Sequence, residues 1–246
     1  MNKRYLSAIC AGLWLAAPVA QADPNLNTLL GGAQAQAQAK FNAFAQDMAA
    51  LTSYKAITPA EPLGITGFDV SAELTITQPG HGDQWASVLG LTSIPFLPSP
   101  KLHAHKGLPF GFDIAAVYMP AIKGISYWGG ELRYALLSGN IAMPAIAVRG
   151  AYTQLTGFPG LDMSNTSIEL GISKGFLMLT PFASVGMVMS NGKPTGTIAT
   201  VLTEEKITQM KYAVGANLNL GLMNFGFEWD MTGSSNSYNG KFGFRW

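Results

Sequence analysis

The sequence predicts an all-β protein, an antiparallel transmembrane β-barrel of about ten strands preceded by an N-terminal amphipathic helix. Three observations carry that expectation. The 246 residues are 48% hydrophobic but only 12% charged, about half the roughly 25% charge of soluble domains. From residue 68 onward apolar and polar residues alternate with a period of two, which is the pattern of strands with one apolar face. Aromatic residues gather near the two ends of those strands, as rings do at the two interfaces of a membrane.

The N-terminus accounts for part of the apolar excess. Lys3 and Arg4 precede an apolar run over 5–17 and a small-x-small site at Ala20, Gln21 and Ala22, the pattern of a cleaved secretory signal peptide over 1–22. Cys10 lies inside the apolar run, too early for a lipidated first residue, so the exported chain is expected to carry no cysteine and to form neither a disulfide nor a thiolate metal site. The longest later apolar stretch, 177–189, contains Thr180, Pro181 and Ser184 and falls short of the about 20 residues a spanning helix needs. Export, few charges and no spanning helix together point to a barrel in the outer membrane of a Gram-negative bacterium. A net charge of +1 argues against a nucleic-acid partner.

Residues 23–64 read as a helical segment and 65–246 as the barrel. Over 33–55 the chain is rich in Ala and Gln, with Phe41, Phe44, Met48 and Leu51 at spacings of three and four. These draw one apolar stripe on a helix. Such a helix either plugs the barrel or stays in the periplasm, where it could dock a partner. Pro59, Pro62, Gly64 and Gly67 close the segment.

The strands follow in order. Phe68, Val70, Ala72, Leu74 and Ile76 alternate with Asp69, Ser71, Glu73 and Thr75, and the same pattern returns around Phe112–Tyr118, Trp128–Leu136, Ile146–Tyr152, Ile168–Ile172, Met210–Leu220, Phe225–Trp229 and Phe242–Trp246. Residues 177–189 are apolar on both faces. Short links at 138–140, 173–176 and 221–224 take turns with longer polar ones at 120–124, 156–164, 191–206 and 233–237, as periplasmic turns and outer loops do. Keeping that order requires a short strand over 101–106, with 78–100 as the first outer loop, and brings the total to about ten.

Alternation alone does not separate a membrane barrel from a soluble one with an apolar interior. The aromatics do. With those strand directions Tyr118, Tyr127, Trp128, Tyr152, Tyr212, Trp229 and Tyr238 fall at the outer ends, and Phe110, Phe112, Phe176, Phe225 and Trp246 at the periplasmic ends. The opposite, polar face is expected to line the lumen with a charge network of Asp69, Glu73, Asp113, Glu131, Arg133, Arg149, Glu169, Lys211, Glu228, Asp230, Lys241 and Arg245, with Lys174 on the same face. That network either satisfies buried polar groups or lines a substrate or ion path.

Phe244, Arg245 and Trp246 resemble the terminal aromatic-x-aromatic pattern by which outer-membrane barrels are recognised for assembly, although Lys241 stands where that pattern has glycine and Trp246 where it usually has Phe. The stretches TPAEPLGITGFDV (58–70) and KGLPFGFDI (106–114) are similar to those of proteobacterial outer-membrane barrels with no assigned activity. The resemblance implies a barrel embedded in outer-membrane lipids and handled by the barrel assembly machinery through its last strand. It implies no chemistry.

Nor do the residues themselves specify a reaction. His81, His103 and His105 cluster in sequence, with His103 and His105 on one strand face, but two histidines do not make a metal site and a third ligand is not identifiable. His81 and Asp83 form an acid and histidine pair of the type omptin-like proteases use, while the His-x-Ser spacing of lipid A deacylases and outer-membrane phospholipases is absent. No cofactor motif is present. The leading expectation is a non-enzymatic barrel, structural or a narrow channel for small molecules, hydrophobic ones included. The alternatives are a lipid- or peptide-hydrolysing barrel using His81 and Asp83, and an adhesion or docking barrel using the loop 191–206.

Overall fold

Period-two patterning closes on itself in space. In the computed structural model, which describes residues 23–93, 96–140 and 142–246, ten antiparallel strands form a closed barrel in which each pairs with its sequence neighbours and the first with the last. They are β1 (Phe68–Gln78), β2 (Leu97–Gly107), β3 (Phe112–Ile122), β4 (Ile125–Ser138), β5 (Ala145–Thr156), β6 (Leu161–Ser173), β7 (Leu179–Pro194), β8 (Glu205–Leu220), β9 (Met223–Thr232) and β10 (Ser235–Arg245). Closure runs from Asp69↔Arg245 to Gln78↔Asn236. It is finished by reciprocal backbone hydrogen bonds between Phe68 and Trp246, at 2.8 and 3.0 Å, and by their stacked rings. The expected signal peptide falls on residues outside those described.

Side-chain direction follows the pattern. Val70, Leu74, Ile114, Leu132, Ile168, Leu170, Val185, Val214 and Phe244 lie exposed on the outer surface, while their polar neighbours along each strand are buried in the lumen. An exposed apolar belt with a buried ionic interior is the inverse of a soluble barrel, and lipid is the solvent that suits it. Tyr118, Trp128, Tyr152, Tyr212 and Tyr238 ring one end, and Phe110, Phe112, Phe176, Phe225 and Trp246 the other. Trp229 is half-buried. Tyr127 departs from the expected girdle. It is 2% exposed and faces inward, because Trp128 occupies the outward position beside it. In β7 Phe182 and Val188 point inward, which explains a segment apolar on both faces.

Several connections are tighter than their composition suggests. β3 and β4 continue to a two-residue turn at Lys123 and Gly124, both with positive φ, and β9 and β10 to a turn at Gly233 and Ser234. The short predicted strand over 101–106 extends outward to Leu97. Lys174 follows β6, in a turn, where its Nζ donates to the Asn140 carbonyl. Two long connections remain at the outer end. Residues 79–96 carry a helix, α2 (Gly82–Leu89), and 195–204 carry a 3-10 turn, Gly196–Thr200.

The N-terminal helix, α1 (Gln34–Thr52), lies inside the barrel. Its first turn is exposed at the outer rim, where Gln34 and Gln38 donate to the carbonyls of Val201 and Thr203. From Phe41 on it becomes buried, and residues 52–60 are buried throughout. Small residues make this possible: Ala37, Ala45, Ala49 and Ala50 are all buried, keeping the helix narrow enough for a ten-stranded lumen. The chain leaves at the opposite rim. There Leu63 N–H donates to Asp113 Oδ1, and Gly107 packs so closely on the Gly64 carbonyl that a side chain would collide with it. Among the described residues no helix is long and apolar enough to cross a membrane.

Candidate functional site

The lumen has two zones. The outer zone is apolar, although the alternation led us to expect a polar face along the whole interior. Phe41, Phe44 and Met48 of α1 pack with Trp85 of α2 and with the wall residues Val117, Tyr127, Leu155, Leu161 and Met163. Phe44 lies 4.6 Å from Trp85 and 5.9 Å from Phe158, ring centre to ring centre. The inward ends of these strands pack against a helix rather than water, so they are apolar.

Below this zone the wall turns ionic. The buried wall carboxylates Asp69, Glu73, Asp113, Glu131, Glu169, Glu228 and Asp230 meet Lys101, Arg133, Arg149, Lys211, Lys241 and the partly buried Arg245. Asp69 accepts from Lys241 at 2.7 Å and from Arg245 at 2.6 Å. Lys211 lies 2.8 Å from Glu169 and donates to the Tyr54 carbonyl. Arg133 bonds Asp113 through two nitrogens and clasps the N-terminal segment at the carbonyls of Pro59 and Glu61. Arg149 stands 3.8 Å from Glu131, and Glu228 accepts from Asn239. Burying a charge is costly unless an opposite charge or hydrogen-bonding group stands beside it.

The N-terminal segment completes the set. Lys55 Nζ sits 2.6 Å from Asp230 Oδ1, with both side chains fully buried. Tyr54 OH lies 2.7 Å from His103 Nε2, and His103 Nδ1 lies 2.8 Å from Glu73 Oε1. Both ring nitrogens of His103 are thus engaged. Its neighbour His105 stacks on it and stands 3.7 Å from Glu131. Among the described residues no group of three or more His, Cys, Asp or Glu is placed to hold a metal ion. Lys55, Lys101, Tyr54 and the histidines were not in the predicted network. For Lys101, His103 and His105 the shared strand parity was a usable signal. For Tyr54 and Lys55 no local pattern announces their partners, which are 49 and 175 residues away.

The other predicted candidates are placed differently. His81 meets Asp47 of α1 rather than Asp83. Its ring nitrogen is 3.2 Å from Asp47, whose carboxylate also accepts the backbone N–H groups of Gly80 and His81 and the Ser235 hydroxyl. That saturated carboxylate fastens the outer loop to α1. The expected 191–206 loop begins as strand, and its remainder folds inward, with Ile198 and Leu202 buried.

One cavity of about 370 Å³ opens in the outer zone, within the roughly 300–1,000 Å³ of small-molecule sites. Met48, Leu51, Trp85, Tyr127, Leu155 and Phe158 line it from inside, and among the described residues Lys123 is the one charged residue on its lining. Lys123 is itself paired with Asp23 at 2.8 Å.

Barrel closure, the lipid-compatible belt and the filled, ionic lumen together define a transmembrane β-barrel of the outer-membrane type, plugged by its own N-terminal segment. Similar solved structures are outer-membrane barrels. The N-terminal barrel domain of Pseudomonas aeruginosa OprF is 10% identical, with 74% of this chain and 99% of that chain covered and a TM-score of 0.39. The translocator domain of the autotransporter NalP from Neisseria meningitidis is 11% identical, with 86% and 95% covered and a TM-score of 0.36. Ail of Yersinia pestis is 9% identical, with 73% and 97% covered and a TM-score of 0.30. No protein-family model and no curated protein matches the chain.

Proposed function

We propose that this protein is a non-enzymatic barrel of the Gram-negative outer membrane, exported by a cleaved signal peptide, that is closed to solutes and holds a small hydrophobic molecule at its outer end. The apolar cavity carries the reading: among the described residues, apart from Lys123 at its rim, no ionisable residue but Tyr127 lines it, while the ionic zone below is filled by residues 53–60. Pockets of this size and lining bind by apolar burial, at about 25 cal/mol per Å². The ionic zone serves to anchor the plug, which favours the structural role of the network over a conducting path. The surrounding lipids and the barrel assembly machinery, the latter through the strand ending at Trp246, are the partners this reading requires.

The test is binding of 1-N-phenylnaphthylamine in lipid nanodiscs to the full chain carrying Trp128→Phe, Trp229→Phe and Trp246→Phe, which leave Trp85 as the energy-transfer donor after residue 22. A saturable component is expected. It should fall at least about tenfold in affinity when Leu51→Phe and Leu155→Phe fill the cavity, a loss of about 1.4 kcal/mol. Transfer that is non-saturable, or identical in the filled variant, overturns the reading.

A further inference from the structure

The barrel wall is unlaced along one line. β2 pairs with β3 only between Leu102↔Tyr118 and Gly107↔Asp113. Its outer half nevertheless remains paired with β1, up to Thr77↔Leu97. At the same height β3 remains paired with β4, through Met119↔Tyr127 and Ile122↔Ile125. Both strands therefore continue outward without a ladder between them, over residues 97–101 of β2. At about 3.3 Å per residue the seam is roughly 16 Å long.

The sequence supplies the cause. Pro98 and Pro100 lie on the outer half of β2, and Pro120 lies opposite on β3, beside a register shift between Met119 and Ile122. Proline has no N–H to donate and is confined to strand edges. Pro98 and Pro100 are two apart, so their missing donors fall on one edge of β2. The β1 ladder survives across both, through Ile76↔Pro98 and Leu74↔Pro100. The edge left without donors therefore faces β3. Across the seam the strands touch through side chains: Ser99 Oγ donates to Met119 Sδ at 3.3 Å.

The apolar cavity lies behind this line and reaches through it. Its lining includes inward residues, Met48, Tyr127 and Leu155, and also Leu74, Pro98 and Pro100, which lie on the lipid-facing side of β1 and β2. A cavity lined from both faces of a wall passes through the wall. Above it α2 covers the barrel mouth, with Trp85 and Val88 buried, and below it lies the plugged ionic zone.

We propose that the cavity is filled from the side: the hydrocarbon chain of an outer-leaflet lipid inserts between β2 and β3 at Pro98, Pro100 and Pro120 and lies against Trp85 and Tyr127. The occupant is an acyl chain because the opening is continuous with the lipid-facing surface and the lining is apolar. This deepens the function proposed above and rests on it.

The experiment uses contact quenching by bromine. Trp128→Phe, Trp229→Phe and Trp246→Phe leave Trp85 as the sole tryptophan after residue 22. The full chain is placed in vesicles of phosphatidylcholine with dibromostearoyl chains, and in the same vesicles without bromine. Trp85 emission is expected to fall at least about twofold with bromine. Ser99→Cys with Met119→Cys, in a chain with no other cysteine after residue 22, is bridged across the seam by a short bifunctional methanethiosulfonate reagent, which spans a diagonal pair that a direct disulfide would not fit. The bridged form should lose the quenching and dithiothreitol should restore it. Pro98→Val with Pro100→Val, which restores ladder donors, should reduce quenching without any crosslink. A second arm adds free dibromostearate from solution to bromine-free vesicles. Quenching that is equal in the open, crosslinked and valine forms overturns the lateral route, and if it is produced by free dibromostearate the hydrophobic site itself stands. No quenching of Trp85 in either arm overturns the site and the route together.

Discussion

Replacing Lys55 by methionine tests whether the plug is riveted by charge. The methionine keeps most of the side-chain volume and removes the ammonium, leaving Asp230 in a site where its side chain has no exposure. Breaking a buried pair by removing one partner costs about 3–5 kcal/mol, because the remaining charge stays desolvated. Asp230 retains Asn239 at 2.8 Å and Thr232 at 3.2 Å, which places the expected cost near the lower end. About 3 kcal/mol corresponds to a factor of roughly 150 in the folded ratio. The companion change, Asp230→Leu in the Lys55→Met background, removes the orphaned charge as well. Replacing both members of a buried pair by apolar residues is often neutral or stabilising, so the double variant should recover most of the loss. The assay is urea unfolding in lipid vesicles followed by tryptophan emission, with the boil-sensitive mobility of the folded barrel as an independent check. A single variant costing less than about 1 kcal/mol, or a double variant no more stable than the single one, would refute the claim that this pair holds the plug.

Three further outcomes follow from the same geometry. In planar bilayers the full chain should show no steady open level, since residues 52–60 are buried along the lumen; a sustained conductance would contradict a closed barrel. Trp246→Ala removes the ring stacked 5.4 Å from Phe68 at the closing strands and should lower stability by about 1–3 kcal/mol and slow refolding into vesicles; unchanged refolding would remove Trp246 from closure. An epitope tag placed before Asp23 should be bound by antibody on intact cells, because Asp23 pairs with Lys123 at the rim opposite Trp246; a tag reached only after permeabilisation would reverse the topology.

The strands were legible because lipid outside and charge inside leave a strict two-residue period, visible in runs such as Phe68 to Ile76. Ends were harder. Pro98 and Pro100 argue against strand on local grounds, and only the β1 ladder, made by residues 74–77, holds them there. The turns at 123–124 and 233–234 were expected as longer loops, since polar composition marks a region but positive φ at Lys123 and Gly124 sets the reversal. All twelve predicted network residues lie on the barrel wall facing inward, but the sequence could not say which pair with which. Parity places a side chain on a face; it does not give its height or its partner across the lumen. The helix shows this most clearly. An Ala- and Gln-rich helix with one apolar stripe suits a periplasmic surface as well as a lumen, and Lys55, an unremarkable cation in sequence, has its partner Asp230 175 residues away on the barrel wall.

The same segment explains why the two zones are ordered as they are. A plug held by ionic contacts needs several of them at once, since each buried charge is costly alone. Lys55, the Tyr54 hydroxyl and the carbonyls of Pro59 and Glu61 all engage the lower zone, where Asp230, His103 and Arg133 meet them. With the chain fixed there, the helix above need only pack, and Ala-rich packing leaves room beside Met48 and Leu51. The cavity is therefore found on the side of the helix that faces the unlaced strands, where Ser99 Oγ donates to Met119 Sδ. Rigidity at one end and an apolar opening at the other are complementary: loosening the lower zone should cost both solute tightness and the shape of the cavity, whereas relacing β2 to β3 should alter access to the cavity and leave the plug seated.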